Sequence, residues 1–595
     1  MLFAVLCAVA SVALGAGLGL APRVGRPLMG GVQTFAIAAG MSVVVVHLLP
    51  ESAEALGAWA FAAFFAGAAA PLVVEAALGV QHHPHHHHDH HEPDAHAIDV
   101  ATEMGYLGLL AHQIGDGVGL SMTGLSPALG RNAALALSAH TVPITTLFVV
   151  RIALRHGRAS ALRHALGLAV ATIGGIALGA AVPGEALKLV EPWITALVGG
   201  LLLHVICHDL APDGPRSPAA RSLDLAAMLG GLSIALVGSH ARLEMLGRSA
   251  MAQRGFIHSL LDLSIQSAPA SLIGLAAAAL FRRRAAAREE AVASEGPGSD
   301  ARRGLALALA PEGGRPLESA RAMVARGAPA ARVAAFLLAA PSTALWSTLL
   351  TWKFLSAGLA LLRLALGVAI AGLAGAAAGA LAEPAANPGP APEPGCDCAP
   401  GGALEVFDEL VLSITPWMVV GLAAAAYVDA LVPAGQLAQV AAWHLDVPLL
   451  ALAAIPSLFC AGAMVPLAAV LMGKGVSGGA VLGALLLGPA TSVGGFRLMR
   501  RAYGVRSALA AHALFLALAL AAAIGLNAMA EVTPDLLMQQ SLHEHSTLAL
   551  AAVAVLAAFG ARSMWSTGLK GWLHTVLDLG EERVAPPALT KDGVA

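Results

Sequence analysis

Apolar stretches long enough to cross a lipid bilayer recur along nearly the whole chain. A membrane-spanning helix needs roughly 20 apolar residues, and stretches of that kind begin near residues 3, 29, 58, 101, 132, 165, 191 and 224. Further stretches begin near residues 256, 333, 357, 405, 477 and 507, and a last one covers residues 546 to 562. The pattern predicts an all-α, polytopic integral membrane protein with eight spans before residue 240.

Composition and charge indicate the same class. Of the 595 residues, 57% are hydrophobic and 12% are charged, as expected of a chain whose main solvent is lipid. The net charge of −3 gives no reason to expect a nucleic-acid partner, and five cysteines provide no disulfide framework. The stretch from Met1 to Leu20 is apolar without a preceding basic segment, so we expect a first span rather than a cleaved signal peptide. The expected location is a cell membrane of the bacterial inner-membrane type, with the lipid bilayer as a partner.

Nine histidines lie within fifteen residues, between the third and fourth predicted spans. Neutral imidazole is the commonest side chain that binds zinc, nickel and similar ions, and a cluster raises the local metal concentration beside the membrane. Interleaved Asp89, Glu92 and Asp94 argue against an expression tag. Residues 81–96 therefore predict a metal-collecting loop, with a disordered polar loop as the alternative. The histidines are His82, His83, His85, His86, His87, His88, His90, His91 and His96.

Pairs of polar residues four positions apart occur inside two predicted spans. His112 and Asp116 lie on one face of the fourth span, because residues four apart on a helix are neighbours. His204 and His208 have the same spacing in the seventh span. Ionisable side chains inside a membrane are costly and usually functional, which favours metal binding. The alternative is that these polar groups are structural and pair with one another across the bundle.

The first half of the chain, up to residue 240, carries His-Leu-Leu-Pro-Glu at 47–51, the His-rich loop, His-Gln-Ile-Gly-Asp-Gly at 112–117 and His-Thr-Val-Pro at 140–143. The resemblance that these features carry is to the ZIP family of divalent-metal transporters. It implies a transport site at mid-membrane depth. The metal ligands that it implies are His112, Gln113, Asp116 and His140, with His47, Glu51, His204 and His208 as further candidates.

The fifth span departs from the family pattern at two positions. Thr141 and Ile144 stand where family members usually carry an acidic residue and another acid or histidine. A second, bridged metal ion is therefore not expected. His112, Asp116 and His140 remain as two histidines and one carboxylate, a set that suits one transition-metal ion with open positions for water.

A zinc-dependent intramembrane hydrolase is a rival class of function. A histidine and an aspartate on one span, with two histidines on another, could hold a Zn²⁺ ion that activates water. The chain has no His-Glu-x-x-His motif, and the order of its features fits a carrier better. We therefore expect no enzymatic activity.

The second half of the chain contains an internal repeat. Residues 268–279 match residues 415–426 at a shift of 147. Downstream, a glycine and a proline fourteen residues apart recur at a shift of 148, as Gly327 and Pro341 in the first copy and Gly475 and Pro489 in the second. Two anchors that keep their spacing are much stronger evidence for a repeat than one alanine-rich match.

Each copy of the repeat has a segment broken by proline and glycine, at residues 304–327 and 444–475. Such segments can form re-entrant hairpins that expose backbone groups to a polar cavity, as in many carriers. With three spans in each copy, the two copies would be inverted relative to each other. Asp262 aligns with Glu409 at the first shift, so an acidic residue recurs near the start of both copies.

Residues 256–530 contain Cys-Ala-Gly-Ala-Met-Val-Pro-Leu-Ala at 460–468, Gly-Val-Ser-Gly-Gly-Ala at 475–480 and Gly-Pro-Ala-Thr at 488–491. Through these segments they resemble the predicted-permease family that includes organoarsenical efflux permeases. Family members commonly carry a second cysteine where this chain has Gly462. Soft thiolates suit soft ions such as trivalent arsenicals, and with one thiolate missing the substrate is left open. The expected permease site contains Cys460, Asp262, Glu409, Pro341 and Pro489.

The chain is expected to consist of two transport domains and their connections. The predicted order is a ZIP-like domain at 1–240, a connector at 241–255, a first permease repeat at 256–382, a Pro-rich linker at 383–403, a second permease repeat at 404–532, and a C-terminal span and tail at 533–595. Cys396 and Cys398 in the linker are candidates for binding a soft metal. A flexible linker with incidental cysteines is the alternative.

The sequence as a whole predicts a membrane permease for a metal or metalloid ion. A divalent transition metal such as zinc would pass through the first half, and a metalloid or other small solute through the second. Zinc is expected as substrate or ligand, not as a tightly bound cofactor, and a homodimer is one expected assembly. The alternatives are a permease for an unrelated solute with a metal-sensing first half, and the hydrolase. No Walker motif is present, so we do not expect ATP-driven pumping by this chain.

Overall fold

The protein is built from helices throughout the part that the computed structural model describes. The described residues are 2–20, 26–77, 100–122, 127–181, 184–208, 217–246, 249–293, 300–309, 316–382, 403–454, 461–529 and 546–577. They contain helices and short turns and no strand, which confirms the predicted all-α class. The chain forms two compact units, residues 1–255 with 564–574, and residues 256–563 with 575–595.

Several of the described helices have the length and composition of membrane spans. Six are long and apolar enough to cross a bilayer, and the number rises to eight if each of two bent helix pairs is one span. This confirms the prediction of a polytopic membrane protein.

The described part of the first unit is formed mainly by helices α1 to α8. Their bounds are α1 Leu2–Leu20, α2 Arg26–Val43, α3 Leu49–Leu56, α4 Ala58–Ala77, α5 Val100–Met122, α6 Pro127–Ala181, α7 Gly184–His208 and α8 Pro218–Leu246. A π-helical turn, Val44–Leu48, joins α2 to α3. Helix α6 consists of two helices joined at Gly157, whose φ of 82° is readily adopted only by glycine.

Small residues let the helices of the first unit approach closely. A Cβ atom added to Gly67 on α4 would lie 1.9 Å from the carbonyl oxygen of Leu197 on α7. A Cβ atom added to Gly200 on α7 would lie 1.9 Å from the carbonyl oxygen of Phe64 on α4. In lipid, helices associate through such close packing, because the hydrophobic effect does not drive them together.

The remaining helices, α9 to α22, contribute mainly to the second unit. Their bounds are α9 Ser249–Ala293, α10 Asp300–Leu309, α11 Pro316–Ala325, α12 Ala330–Thr343, α13 Leu345–Phe354, α14 Ala357–Ala380, α15 Ala403–Leu431, α16 Ala438–Ala442, α17 Asp446–Ala454, α18 Met464–Gly473, α19 Gly478–Ala490, α20 Val493–Tyr503, α21 Val505–Met529 and α22 Thr547–Leu577. The pairs α12 with α13 and α19 with α20 are bent, by 41° and 52°.

Four successive helices of the second unit recur at one constant shift along the chain. Helices α11, α12, α13 and α14 begin at residues 316, 330, 345 and 357, and α18, α19, α20 and α21 begin at residues 464, 478, 493 and 505. Each start in the second set lies at the same shift of 148 from its counterpart in the first. The two copies therefore have the same order of helices, and each contains one bent helix pair.

Gly327 and Gly475 end α11 and α18 in the same way. Both have a positive φ, 75° and 106°, a conformation that favours glycine at the end of a helix. In the first copy the amide of Ala328 donates to the carbonyl oxygen of Met323 at 3.0 Å, and in the second the amide of Val476 donates to that of Leu471 at 3.1 Å. Equivalent hydrogen bonds therefore close the same turn in both copies.

Candidate functional sites

The first candidate site lies on α5, where His112 and Asp116 form a buried pair. Nε2 of His112 is 3.5 Å from Oδ2 of Asp116, and their side chains are 5% and 12% exposed. The spacing of four residues brings both groups to one face of the helix. An imidazole nitrogen and a carboxylate oxygen at this separation can bind the same divalent ion.

Gln113 links this part of α5 to the second half of α6. Its Oε1 accepts a hydrogen bond of 2.7 Å from Oγ1 of Thr172, and both side chains are buried. Its Nε2 has no hydrogen-bond partner among the described residues. An amide nitrogen is not a metal ligand, so Gln113 could reach an ion only through the oxygen that already accepts from Thr172.

Glycines hold α5 and α6 in close contact around this site. A Cβ atom added to Gly117 would lie 2.2 Å from the carbonyl oxygen of Thr172, and one added to Gly175 would lie 2.1 Å from that of Ile114. Gly117 directly follows Asp116 in the sequence motif. The motif therefore supplies both the carboxylate of the predicted metal site and the contact that positions its helix.

Helix α7 packs closely against α5. A Cβ atom added to Gly108 would lie 2.2 Å from Cδ2 of Leu201. His112 follows Gly108 by four residues and His204 follows Leu201 by three, so each histidine lies about one helical turn from this crossing. His204 is half-buried. The structure thus brings together the helices on which sequence placed two separate groups of ligands.

The π-helical turn carries His47 and also contacts α7. The amide of Leu49 bonds to the carbonyl oxygen of Val44, five residues earlier. Pro50 follows immediately and has no amide hydrogen to continue an ordinary helical pattern. Single π-helical turns are frequent at functional sites.

Several predicted ligands cannot be placed as side chains. The backbones of four of them lie on described helices or turns, but their side chains lie outside the described residues: His47, Glu51, His140 and His208. Also outside are the His-rich loop, with all nine of its histidines, and Cys396, Cys398 and Cys460. Among the side chains that are described, no three His, Cys, Asp or Glu residues form a group able to hold a metal ion. The proposed three-ligand set therefore stays a prediction, with His112 and Asp116 as its described part.

The second candidate site lies in the second unit, where α13 meets the segment before α18. Gly462 belongs to the motif that begins with Cys460, and a Cβ atom added to it would lie 1.9 Å from the ring of Trp346. A Cβ atom added to Gly274 of α9 would lie 2.4 Å from the Cα atom of Trp346. Trp346 is therefore packed closely against two glycines, one from each copy of the repeat.

The two acidic residues that the repeat aligns have different surroundings. Asp262 on α9 is buried, and its Oδ2 is 2.7 Å from Nδ1 of His258, whose side chain is 68% exposed. Glu409 on α15 is half-buried. Both stay candidates for the permease site, whose Cys460 lies outside the described residues.

Pro341 and Pro489 occupy the same place in the two bent helix pairs. Each lies inside its helix, two residues before the helix ends in the first copy and one residue before the end in the second. The carbonyl oxygen of Pro341 accepts a hydrogen bond of 3.3 Å from Nη2 of Arg363. Arg363 is absent from the permease residues predicted above. Its sequence signal is nonetheless plain, since it is the single charged residue within 357–380.

Comparison with known families gives one match in each half of the chain. Residues 74–238 match the family model described as ZIP zinc transporter, and residues 403–528 match the model described as predicted permease. These matches confirm the two resemblances seen in the sequence. The first match includes α5, α6 and α7, and the second includes α15 to α20. No significant match was found among curated proteins or among solved structures.

Proposed function

We propose that the chain is a membrane permease for metal ions. The first half moves a divalent transition metal, with zinc as the leading candidate, and the second half moves a metalloid or another small solute. The observation that carries the proposal is the buried pair of His112 and Asp116, on a helix inside the region that matches the ZIP zinc transporter model. Neither family match favours the hydrolase.

The first half binds its ion with a small number of protein ligands. His112 and Asp116 supply a nitrogen and an oxygen, and His140 on α6 is the third ligand in the proposal. Such a set leaves positions for water, which an ion must exchange quickly if it is to pass through. No covalent chemistry on the substrate is required, so the chain acts as a carrier and not as an enzyme.

The finer features of the proposal concern location and assembly. We place the chain in a membrane of the bacterial inner-membrane type, as a multi-pass protein and with a homodimer as its proposed assembly. The His-rich loop at 81–96 would collect metal ions close to the first half. The two halves act on separate solutes, as importer and exporter.

Zinc uptake into vesicles that contain the purified full chain tests the function of the first half. His112→Ala and Asp116→Ala should each lower uptake at limiting zinc by at least about tenfold, since even partners of metal ligands cost about 10–100-fold when lost. Ser121→Ala on the same helix is the matched control, because its hydroxyl bonds to the carbonyl oxygen of Val118 on its own helix. Its uptake should equal that of the wild type.

The same assay separates the carrier from a metal sensor. If the wild-type chain binds zinc through His112 and Asp116 but vesicles take up none, the first half is a sensor. Equal losses in the two ligand variants and in Ser121→Ala would contradict a specific site on α5.

A further inference from the structure

Arg363 is a buried charge inside α14, and its surroundings contain no carboxylate among the described residues. Its side chain is 1% exposed. Nη1 donates to Oγ1 of Thr351 at 2.7 Å and to the carbonyl oxygen of Ser347 at 3.5 Å. Nη2 donates to the carbonyl oxygen of Pro341, while Nε has no partner in the described part of the chain. The guanidinium thus spans the bend between α12 and α13 with its charge unneutralised by any described acidic residue.

Two hydroxyl groups beside the bend also lack partners in the described part of the chain. Ser342 and Ser347 are buried, and neither Oγ atom has a hydrogen-bond partner among the residues described. Ser342 packs against α14, because a Cβ atom added to Gly367 would lie 2.5 Å from the Cβ atom of Ser342. Gly367 follows Arg363 by one helical turn. Between the two helices, Ala344 provides no side chain to cap the start of α13.

The second copy of the repeat has the same bend without these polar groups. At the shift of 148, Ser342, Ser347, Thr351 and Arg363 correspond to Ala490, Gly495, Met499 and Ala511. All four counterparts are buried and none carries a polar side chain. Ser492 caps α20 there by accepting a hydrogen bond from the amide of Gly495 at 3.2 Å. The bend in this fold can therefore form without an arginine.

A buried arginine without an acidic partner is costly to keep. Ionisable groups inside membrane spans are usually functional. The second copy folds with apolar side chains at the same four positions. The fold therefore does not require the buried charge of Arg363, and the free-energy cost of burying it in the first copy needs another explanation. Each group left without a partner among the described residues can donate a hydrogen bond: the Nε–H of Arg363 and the hydroxyls of Ser342 and Ser347, which can also accept.

We propose that the bend between α12 and α13 is the binding site for a small oxyanion in the permease half. Arginine's planar set of N–H groups matches the oxygen atoms of carboxylates, phosphates and similar anions. Serine hydroxyls donate to the same oxygens. A free metal cation would be repelled by the guanidinium and finds no described carboxylate beside it. The inference rests on the proposed transport function of the second half, and it names the class of solute.

The location agrees with the candidate permease site. Trp346, which packs against Gly462 of the cysteine motif, directly precedes Ser347. The oxyanion site therefore lies one residue from the contact between the two copies. Neither family match extends over α12 to α14, so the site belongs to a part of the chain that those models do not cover.

Binding by the full chain in lipid nanodiscs tests the proposal. The thermal unfolding midpoint is measured against increasing phosphate, sulfate, selenate and molybdate, with sodium chloride at matched ionic strength as the reference. At least one oxyanion should raise the midpoint in a saturable manner. Arg363→Met and Ser347→Ala should each weaken that apparent affinity by at least about tenfold, the loss expected for one hydrogen bond to a charged group.

Ser347→Ala and one control variant make the result independent of folding defects. Ser347→Ala removes only a hydroxyl without partners among the described residues and leaves the backbone oxygen that Arg363 uses. Thr348→Ala is the matched control, since the Thr348 hydroxyl bonds to the carbonyl oxygen of Ala344 and should not affect binding. The proposal is overturned if no oxyanion exceeds chloride, or if one binds equally well to the wild type, Arg363→Met and Ser347→Ala.

Zinc uptake by the same variants in vesicles distinguishes this inference from the function proposed for the first half. The variants at Arg363 and Ser347 should leave zinc uptake unchanged. If the wild type takes up no zinc but binds an oxyanion, only the function proposed for the first half is contradicted.

Discussion

Replacing Gly117 with alanine should separate α5 from α6 beside the His112–Asp116 pair. The added Cβ atom would lie 2.2 Å from the carbonyl oxygen of Thr172, whereas real Cβ contacts essentially never fall below 3.0 Å. The obstacle is a backbone atom, so no side-chain rotation relieves it. The two helices must move apart locally by at least 0.8 Å, the difference between these distances.

That displacement has an energetic and a functional consequence. Overpacking of this kind costs about 1–3 kcal/mol. The same shift would lengthen the 2.7 Å hydrogen bond between Gln113 and Thr172 to roughly 3.5 Å, outside the usual range for hydrogen bonds. Asp116 precedes Gly117 directly, so the carboxylate moves with the helix. We expect lower zinc uptake together with lower stability.

Gly115 provides a matched control on the same helix. A Cβ atom added there would have no atom within 4 Å. Both substitutions gain the same intrinsic preference of alanine for a helix, so the difference between them isolates the contact with Thr172. Denaturant unfolding in detergent should find Gly117→Ala less stable than Gly115→Ala by about 1–3 kcal/mol, and vesicle assays should find normal uptake for Gly115→Ala. Equal stability and equal uptake for both variants would refute the reasoning.

Three further predictions concern the other candidate residues. Deleting His82 to His91 should weaken zinc capture at low concentration without changing the maximal rate. Capture by the wild type should fade as pH falls through about 6.5, because protonated imidazole cannot bind metal. Uptake at limiting zinc, measured against pH, checks both expectations. Thr172→Val should lower the free energy of unfolding by about 1–3 kcal/mol, because Gln113 loses its donor, and denaturant titration measures it. Cys460→Ser should reduce transport of thiophilic solutes more than of hard ones, and equal reductions in a vesicle assay would mean that Cys460 only packs.

The positions of the helices could be predicted from the sequence because apolar length is the main requirement in lipid. The predicted starts at 58 and 357 coincide with the starts of α4 and α14, and those at 101 and 405 differ from α5 and α15 by one and two residues. The predicted starts at 132 and 165 fall within α6, which the structure divides at Gly157. Hydropathy identifies an apolar stretch but does not predict where the helix within it is broken, as at Gly157.

The bends of α12–α13 and α19–α20 were not predicted. The sequence placed the breaks upstream, at 304–327 and 444–475, where proline and glycine are frequent. In the structure the first bend packs against a distant part of the chain, since Trp346 contacts Gly462 of the other copy. A local pattern cannot show which distant groups will stabilise a broken helix.

The His112–Asp116 pair was predictable for the opposite reason, since its geometry is local. A spacing of four residues within one helix determines that the two side chains are neighbours, and they are. Contacts between helices, such as Gln113 with Thr172, depend on packing that the spacing within one helix does not contain. The predicted ligands on α6 and α7 belong to that second class.

A duplicated scaffold separates the residues needed for folding from those needed for chemistry. Residues that shape the fold recur in both copies, as with Gly327 and Gly475, which end equivalent helices with the same hydrogen bonds. A comparison of the two copies for identical residues identifies these positions but does not identify Arg363, because its counterpart is Ala511. A transporter has one solute to bind, and a polar site is costly in lipid, so a single copy suffices to carry it. The informative positions for substrate are therefore those at which two structurally equivalent helices differ in polarity.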